Sequence, residues 1–353
     1  MQGLELARLF YEEYVGPMLR EKFPELLDCI TVGLTGSGSE CYGFDDEISR
    51  DHDFEPGVCI FIPGEDRVDS RTQFRLSRAY FALPEEVYGF SRSRVSPVGG
   101  ERHGVIRAPE YWLEKVGSSD GSLDMNAWLN IPEYALAEAV NGEIFYDGDG
   151  SFTGVRRSLR HYPREIRMKK LAGYLLLMNQ SGSYNYTRCL KRGENAAAQL
   201  AVYEYVQAAM HAIFLLNDRY MPYYKWSFRA MRSLSIMAGL WESLEYLMTT
   251  GNDPESAKVK EGVISDINGT VAGAVELSGL AAEKTREVGT GLYMGTRQLA
   301  QAQGEAAGNE VRKASEALFG SAQAGADLER LAYAVNDSIT DGTLRSLHIL
   351  SGT

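Results

Sequence analysis

The 353-residue sequence lacks any long hydrophobic run. No window of about 18 uncharged apolar residues occurs, which is the minimum for a membrane-spanning helix. The stretch from Met1 to Arg20 mixes charged and apolar positions, whereas a secretory signal places a basic region before an apolar one. We therefore expect a soluble, cytoplasmic protein with no membrane contact.

Cysteine is also scarce, with four residues that form no C-x-x-C pair and no regular spacing. In a chain of this size such cysteines behave as small, partly buried hydrophobes rather than as a disulfide framework. We expect reduced thiols and no zinc site. The cysteines are Cys29, Cys41, Cys59 and Cys189.

Basic residues are outnumbered, since 36 Lys and Arg stand against 48 Asp and Glu, which gives a formal net charge of −12. A surface that binds a long polyanion needs clustered Lys and Arg. This balance disfavours a long nucleic acid as the partner. It still allows a small phosphorylated ligand, because a local pocket can oppose the global charge.

The length favours two or three packed units. In the first 150 residues, apolar spacing and turn residues predict a mixture of helices and strands. The predicted helices are Leu4–Leu27, Arg71–Leu83 and Asn126–Val140, and the predicted strands are Cys29–Leu34, Asp51–Ile62, Glu101–Ala108 and Ile144–Tyr146.

The sequence becomes predominantly helical from Pro163 onward. Long helical periodicities cover Ile166–Met178, Ala196–Leu216 and Tyr223–Thr249, with a loop-like stretch at Ser181–Tyr184. The section from Ala257 to Leu350 is rich in Ala, Gly, Glu and Ser and predicts further helices that pack less firmly. We therefore predict an α+β protein divided at about residues 150 and 250.

One short stretch combines two chemical features. A Gly-Ser turn, Gly36 to Ser39, follows a predicted strand, and Asp51 and Asp53 follow after 11 further residues. Glycines allow close approach to a ligand, and successive amide groups of such a turn can hold phosphate oxygens. Carboxylates at i and i+2 of an extended segment share one face, where they can bind divalent metal ions. The combination favours nucleotidyl transfer assisted by Mg²⁺.

Other phosphate-binding motifs do not match this stretch. The P-loop motif requires a lysine, and the stretch contains none. The dinucleotide motif G-x-G-x-x-G fails because Gly43, rather than a glycine at position 41, follows Gly36 and Gly38. Neither P-loop nor Rossmann chemistry is predicted.

The stretch resembles the signature of the polymerase-beta-like nucleotidyltransferase superfamily, in which a Gly-Ser or Gly-Gly turn precedes Asp-x-Asp or Asp-x-Glu. With its Ser-Arg-Asp-His-Asp ending it is similar, more narrowly, to a bacterial family of domains of unknown function in that superfamily. Similarity also runs through Trp128–Asp147, His161–Pro163 and Arg219–Trp226, so it covers most of residues 25–235.

The resemblance implies an amino-terminal mixed sheet flanked by helices, then a helical domain, with a nucleoside triphosphate bound between them. Residues 1–150 would form the catalytic domain, residues 151–250 a helical domain that closes the nucleotide cleft, and residues 251–353 a helical extension. By the same match, Gly38 and Ser39 hold the triphosphate, and Asp51 and Asp53 bind Mg²⁺ as catalytic residues. Gly36 and Ser37 offer a second Gly-Ser frame.

The resemblance also implies a third carboxylate on a later strand, as base or metal ligand. We choose Glu101 for this role, although a solvent-exposed strand-end glutamate is the simpler interpretation. Lys225 lies among Tyr223, Tyr224 and Trp226, where a cation beside aromatic rings could steady a phosphate or a base. Packing of an aromatic helix explains the same pattern equally well.

The sequence predicts an Mg²⁺-dependent enzyme that moves a nucleoside monophosphate from ATP, or another triphosphate, to an unidentified hydroxyl acceptor and releases pyrophosphate. The alternative is a noncatalytic nucleotide-binding or regulatory module that acts on a protein partner through its helical half. A purely structural helical protein with an incidental loop is the third interpretation.

Overall fold

The computed structural model describes residues 1–50, 55–92, 103–281 and 321–353. The described chain forms two compact units. Unit 1 contains Met1–Ala127 and Ile131–His161, and unit 2 contains Trp128–Asn130 and Tyr162–Thr353. Strands lie in the first unit and long helices in the second, which confirms the α+β class.

Unit 1 is built on a four-stranded mixed sheet in the order β5-β2-β1-β6. Strand β1 pairs antiparallel with β2 and β6, and β2 pairs parallel with β5. Four predicted strands are present but with shorter or shifted bounds, and the strand predicted over Asp51–Ile62 begins only at Cys59, since Glu55–Val58 are not strand and residues 51–54 lie outside the described residues. They are β1 (Thr31–Leu34), β2 (Cys59–Ile62), β5 (Gly104–Arg107) and β6 (Glu143–Asp147), and a separate hairpin holds β3 (Glu86–Val87) and β4 (Phe90–Ser91).

Both faces of this sheet are covered, which explains why β1 and β2 are buried throughout. On one face Ile60 belongs to an apolar cluster that includes Phe10 and Leu76 from the helices. On the other face the next residue, Phe61, stacks on Phe152 with 4.2 Å between ring centroids. Because successive side chains of β2 point to opposite faces, this strand contributes to the apolar packing on both faces of the sheet.

The helices of unit 1 broadly match the prediction. The first predicted helix is interrupted by a π-helical turn, Tyr11–Val15. The helix predicted over Asn126–Val140 is two helices, because Ile131 precedes Pro132 and adopts the extended backbone that a proline imposes. The helices are α1 (Gly3–Phe10), α2 (Gly16–Lys22), α3 (Ser70–Phe81), α4 (Ala108–Val116), α5 (Met125–Asn130), α6 (Glu133–Val140) and α7 (Ser151–Ser158).

Unit 2 is a helical assembly. Its helices are α8 (Arg164–Met178), α9 (Thr187–Lys191), α10 (Asn195–Leu216), α11 (Tyr224–Met231), α12 (Leu240–Thr249), α13 (Pro254–Ser278), α14 (Ser321–Asp337) and α15 (Gly342–Ser346). Among the described residues, no helix has the length and apolar character needed to cross a membrane.

Two sequence predictions for unit 2 are wrong. The loop expected at Ser181–Tyr184 lies inside a π-helical segment, Asn179–Tyr186, where Gly182 packs so closely on Tyr205 that a Cβ would overlap the ring. The single helix expected over Tyr223–Thr249 ends at Met231 and resumes at Leu240. Asn217 fixes the break, since its Oδ1 accepts from the Ile236 N–H at 2.9 Å.

Helix α14 is more firmly packed than predicted. Its apolar stripe is fully buried, and α14 packs against α8 and α13. The expectation of loose packing is therefore wrong for this helix, because small residues beside the stripe permit close helix contact. The stripe residues are Leu328, Leu331, Ala332 and Val335.

A fully buried lysine ties α8 to the last part of the chain. Lys169 is 0% exposed, and its Nζ donates to Asn336 Oδ1 at 2.8 Å and to the Leu347 carbonyl at 2.6 Å. Both acceptors are neutral, and no carboxylate of the described chain forms an ion pair with Lys169. Burial therefore lowers the pKa of the Lys169 ammonium.

We expect the contribution of Lys169 to stability to improve as pH rises. Between its lowered folded-state pKa and the unfolded value of about 10.4, the unfolded chain binds more protons than the folded one. Urea denaturation of wild type and Lys169→Met from pH 8 upward should show stability rising more steeply in wild type. A difference that stays constant, or that falls as pH rises, would contradict this assignment.

Candidate functional site

The Gly-Ser turn lies at the end of the sheet where four strand termini meet. In the register of the sheet, Gly33 lies opposite Cys59 and Ile144, and Cys59 lies opposite Gly104. The carboxyl end of β1 therefore adjoins the amino ends of β2, β5 and β6. We call this edge, with the Gly36–Ser39 turn that leaves β1, the turn end of the sheet.

The turn has the geometry that its sequence predicts. Gly36 has φ +130°, a conformation that other residues rarely adopt. Ser37 is exposed, Gly38 is buried, and Ser39 begins a single 3-10 turn that ends at Tyr42. The left-handed Gly43, with φ 66°, terminates that turn. The glycines therefore allow two changes of direction within eight residues, Gly36 to Gly43.

Asn141, which the sequence analysis missed, holds the turn on both sides of Gly36. Its Oδ1 accepts from the Gly36 N–H at 2.9 Å, and its Nδ2 donates to the Gly36 carbonyl at 2.7 Å. Thr35 Oγ1 also donates to Asn141 Oδ1 at 3.1 Å. The Gly36 N–H is thus already occupied, which leaves Gly38-Ser39 as the frame with available amides.

A half-buried arginine, Arg156, holds the backbone at Asn141. Arg156 donates to the carbonyls of Val140 and Asn141, and burial lowers the pKa of its guanidinium. Next to it, Gly142 donates its N–H to the Cys41 carbonyl at 2.9 Å. Thus the end of α6 anchors both the start and the end of the turn. An Asn-Gly pair after a predicted helix is the signal that could have identified it.

The N–H groups of Gly38, Ser39 and Glu40 find no hydrogen-bond acceptor in the described parts of the chain. Three successive donors of this kind form a concavity suited to an anion. The carboxylate of Glu40 lies against Gly38, where a Cβ would overlap it, and Ser39 Oγ is 3.5 Å from Glu40 Oε2. The chain thus places one of its own anions beside these donors.

We expect Glu40→Gln to tighten the binding of a triphosphate at this turn. Two unit charges about 4 Å apart repel by about 1 kcal/mol in water and by more near a protein surface, so removing the Glu40 charge should raise affinity by at least about fivefold. Titration of Glu47→Gln, an exposed carboxylate in the same segment, is the matched control. Unchanged or weaker binding by Glu40→Gln would show that Glu40 does not compete with the ligand.

A histidine–glutamate pair lies at the same end of the sheet. His103 Nδ1 is 3.2 Å from Glu55 Oε1, with side-chain exposures of 10% and 22%. An ionised carboxylate can only accept, so Nδ1–H donates. Gly57 lies close against the imidazole, because a Cβ there would overlap the ring. His103 immediately precedes β5, and Glu55 lies four residues before the first residue of β2.

The predicted acidic residues Asp51, Asp53 and Glu101 lie outside the described residues, and their roles stay predictions. Lys225 belongs to unit 2 and is exposed, with its Nζ 5.2 Å from the centre of the Trp226 ring. The cation–aromatic contact is present, but it is a contact within α11. Its assignment to nucleotide binding also stays a prediction.

No cluster of three His, Cys, Asp or Glu side chains suited to a metal ion occurs in residues 1–50, 55–92, 103–281 and 321–353. The four cysteines are free thiols. A metal site of the predicted kind therefore depends on Asp51 and Asp53, and the described residues contribute the turn and its supports.

The three further segments that carry the predicted family similarity contribute to one aromatic cluster within unit 2. The Tyr162 ring lies 5.8 Å from Trp128 and 4.8 Å from Tyr220, both edge-on. These three rings come from the three segments singled out in the sequence. Their contacts join segments that are far apart along the chain into one core.

Comparison with known proteins gives one finding. No curated protein and no solved structure matches the chain. Residues 128–227, less than half of the chain, match the family model described as Domain of unknown function (DUF4037), and this region contains the cluster of Trp128, Tyr162 and Tyr220.

Proposed function

We propose that the protein is a polymerase-beta-like nucleotidyltransferase that transfers a nucleoside monophosphate from a triphosphate to a hydroxyl group. The observation that carries this proposal is the set of three backbone N–H groups, Gly38 to Glu40, that have no acceptor in the described structure. They lie at the end of the sheet where β2 begins, and β2 follows Asp51 and Asp53 in the sequence. A phosphate cradle and a carboxylate pair close together in the sequence are the parts that this chemistry needs.

The Gly38-Ser39 frame would bind the triphosphate. Its N–H groups and the Ser39 hydroxyl can donate to phosphate oxygens. The two hydrogen bonds between Asn141 and Gly36 hold the turn in place before the ligand binds. Such preorganisation matters because donors fixed in advance need no rearrangement during the reaction. Ser37 and Gly36 contribute the shape of the turn, with the Gly36 N–H committed to Asn141.

Asp51 and Asp53 would hold Mg²⁺, which when bound neutralises charge on the triphosphate and on the departing pyrophosphate. In the transfer, the acceptor oxygen forms a bond to the α-phosphorus while the bond to pyrophosphate breaks. The acceptor proton passes to a base, for which Glu101 is our candidate. Lys225 stays a predicted nucleotide-binding residue.

The test is calorimetric titration of the whole protein with ATP, GTP, CTP and UTP, with and without Mg²⁺. We expect Mg²⁺-dependent binding of at least one triphosphate, with ATP as the first candidate. Protein incubated with ATP labelled at the α-phosphate should then release pyrophosphate and transfer label to a small hydroxyl compound, a protein or an RNA end. No binding of any triphosphate would contradict the proposal.

The second candidate is a noncatalytic nucleotide-binding or regulatory module that acts on a protein partner. The position of the Glu40 carboxylate favours this candidate. An internal anion beside the phosphate donors weakens triphosphate binding, which is a disadvantage in a fast enzyme but suits a site that responds to nucleotide concentration. Triphosphate binding without label transfer, across the whole acceptor set, would support this candidate.

A further inference from the structure

Helix α11 carries a row of cations on its exposed face. Lys225, Arg229 and Arg232 follow one another at helical spacing, so they lie on one side of the helix, and Arg232 keeps helical backbone angles as the C-cap. All three residues are exposed. The opposite side of α11 is buried through Ser227 and Met231. The row therefore faces away from the core of unit 2.

The segment around this row contains no acidic residue to offset its charge. Residues 219–241 hold four basic side chains and no Asp or Glu, although acidic residues outnumber basic ones in the whole chain. The acidic residue that precedes this segment, Asp218, forms an ion pair with Arg167 at 2.9 Å. In the described parts of the chain, neither Lys225 nor Arg232 forms an ion pair. This local positive charge is complementary to an anionic ligand.

Exposed aromatic rings lie beside the row. Tyr224 is 65% exposed, and its ring centroid lies 4.4 Å from that of Tyr223. The Arg232 guanidinium lies 3.9 Å from the centre of the Trp241 ring, and such a contact holds the cation in a defined place at the surface. Aromatic rings and cations together bind a single-stranded nucleic acid, because bases stack on the rings while the cations contact phosphates.

Other anionic partners match this surface less well. An amphipathic helix binds a membrane by inserting its apolar face, and the buried face of α11 already packs within unit 2. An acidic protein segment would satisfy the cations but has no flat group for the Tyr224 ring. The row from Lys225 to Arg232 is about 10 Å long, at about 1.5 Å per helical residue. That length suits a short strand, in a chain whose overall charge disfavours a long one.

We propose that α11 binds a short single-stranded nucleic acid through Tyr224, Lys225, Arg229 and Arg232, which we call the α11 surface. The three cations contact phosphates, and a base stacks on the Tyr224 ring. This inference goes beyond the proposed function and does not depend on it, because no triphosphate takes part in the binding.

The test is fluorescence anisotropy of a labelled single-stranded oligouridine of about ten nucleotides, titrated with the whole protein. Three phosphate contacts predict an affinity that falls about 20-fold between about 50 and 200 mM salt. Lys225→Ala/Arg232→Ala should weaken binding at the lower salt by at least about tenfold and should flatten this salt dependence. Tyr224→Ala should weaken binding by at least about fivefold through lost stacking, whereas Tyr224→Phe should bind within about twofold of wild type.

The matched control is Lys191→Ala/Arg192→Ala, which removes the same charge from an exposed site at the end of α9. It should bind the single strand as wild type does. All the substituted side chains are exposed, so thermal unfolding of the variants should match wild type. An RNA duplex of the same length should bind at least about tenfold more weakly than the single strand, because its bases are not free to stack on the ring.

Four results would overturn the inference. The first is no binding of the single strand by wild type, and the second is an equal loss in the α9 control. The third is equally tight binding of the duplex or of an oligoglutamate peptide, which would show that charge alone is recognised. The fourth is binding to phosphatidylserine vesicles that Lys225→Ala/Arg232→Ala abolishes, which would assign the surface to a membrane. Titration with Mg²⁺-ATP tests the proposed function separately, so the two failures are distinguishable.

Discussion

Replacing both predicted metal carboxylates, in Asp51→Ala/Asp53→Ala, is expected to abolish Mg²⁺-dependent triphosphate binding. Without them the Mg²⁺ that offsets phosphate charge has no protein ligands, whereas the Gly38-Ser39 donors remain. We expect a loss of at least about 100-fold in affinity, or about 2.7 kcal/mol, measured by calorimetry in Mg²⁺. Binding without added metal should be weak in both proteins and should differ little between them.

The matched control is Asp28→Ala/Glu47→Ala, which removes two exposed carboxylates and changes net charge by the same amount. It should bind the triphosphate as wild type does. Thermal unfolding of both double variants separates lost binding from lost folding. Wild-type affinity in a folded Asp51→Ala/Asp53→Ala protein would place the metal and the nucleotide elsewhere.

Gly142→Ala is expected to be the most destabilising single change near the turn. Gly142 has φ 64°, and its added Cβ would overlap the carbonyl oxygen of Leu34, the last residue of β1. This overlap can be relieved only if β1 moves, or if the Asn141 side chain that holds the turn moves. We expect a loss of about 3 kcal/mol, the sum of left-handed strain and a backbone clash.

Gly150→Ala separates the strain of the left-handed backbone from the effect of the backbone clash. Gly150 has φ 73°, but nothing lies within 4 Å of its added Cβ, so only the strain of the left-handed conformation remains. We expect a loss of about 1 kcal/mol there. Urea midpoints for the two variants should differ accordingly, and Gly142→Ala should also weaken triphosphate binding. Equal midpoints would show that β1 accommodates the added methyl group.

The turn end of the sheet was largely predictable from local sequence. A β-branched apolar run before Gly36 predicts a strand entering a turn, and the structure has β1 and the turn in that order. Short apolar runs before Gly64 and after Asn141 likewise correspond to β2 and β6. Each of these signals is contained within a few residues, which is why single-sequence patterns detect it.

The supports of the site could not be predicted, because they join distant parts of the chain. Asn141 reaches Gly36 across 105 residues, and His103 reaches Glu55 across 48. Their positions depend on the register of β1 with β6 and of β2 with β5, which apolar patterns leave open. Only the pairing of strands brings these side chains together.

The helical half shows a different limit of sequence reasoning. Gly182 and its serine neighbours predict a loop because small residues are common in turns, yet Gly182 lies in a helical segment and packs directly against the Tyr205 ring. Likewise Lys169 has the sequence character of a surface residue but is fully buried. In both cases a tertiary partner overrides the local preference.

The most direct test of the central claim is the structure of the protein bound to a non-hydrolysable triphosphate analogue and Mg²⁺. The account predicts phosphate oxygens within hydrogen-bond distance of the N–H groups of Gly38, Ser39 and Glu40, the Glu40 side chain turned away, and Mg²⁺ on Asp51 and Asp53. An analogue bound away from the turn, with Glu40 still against Gly38, would contradict it.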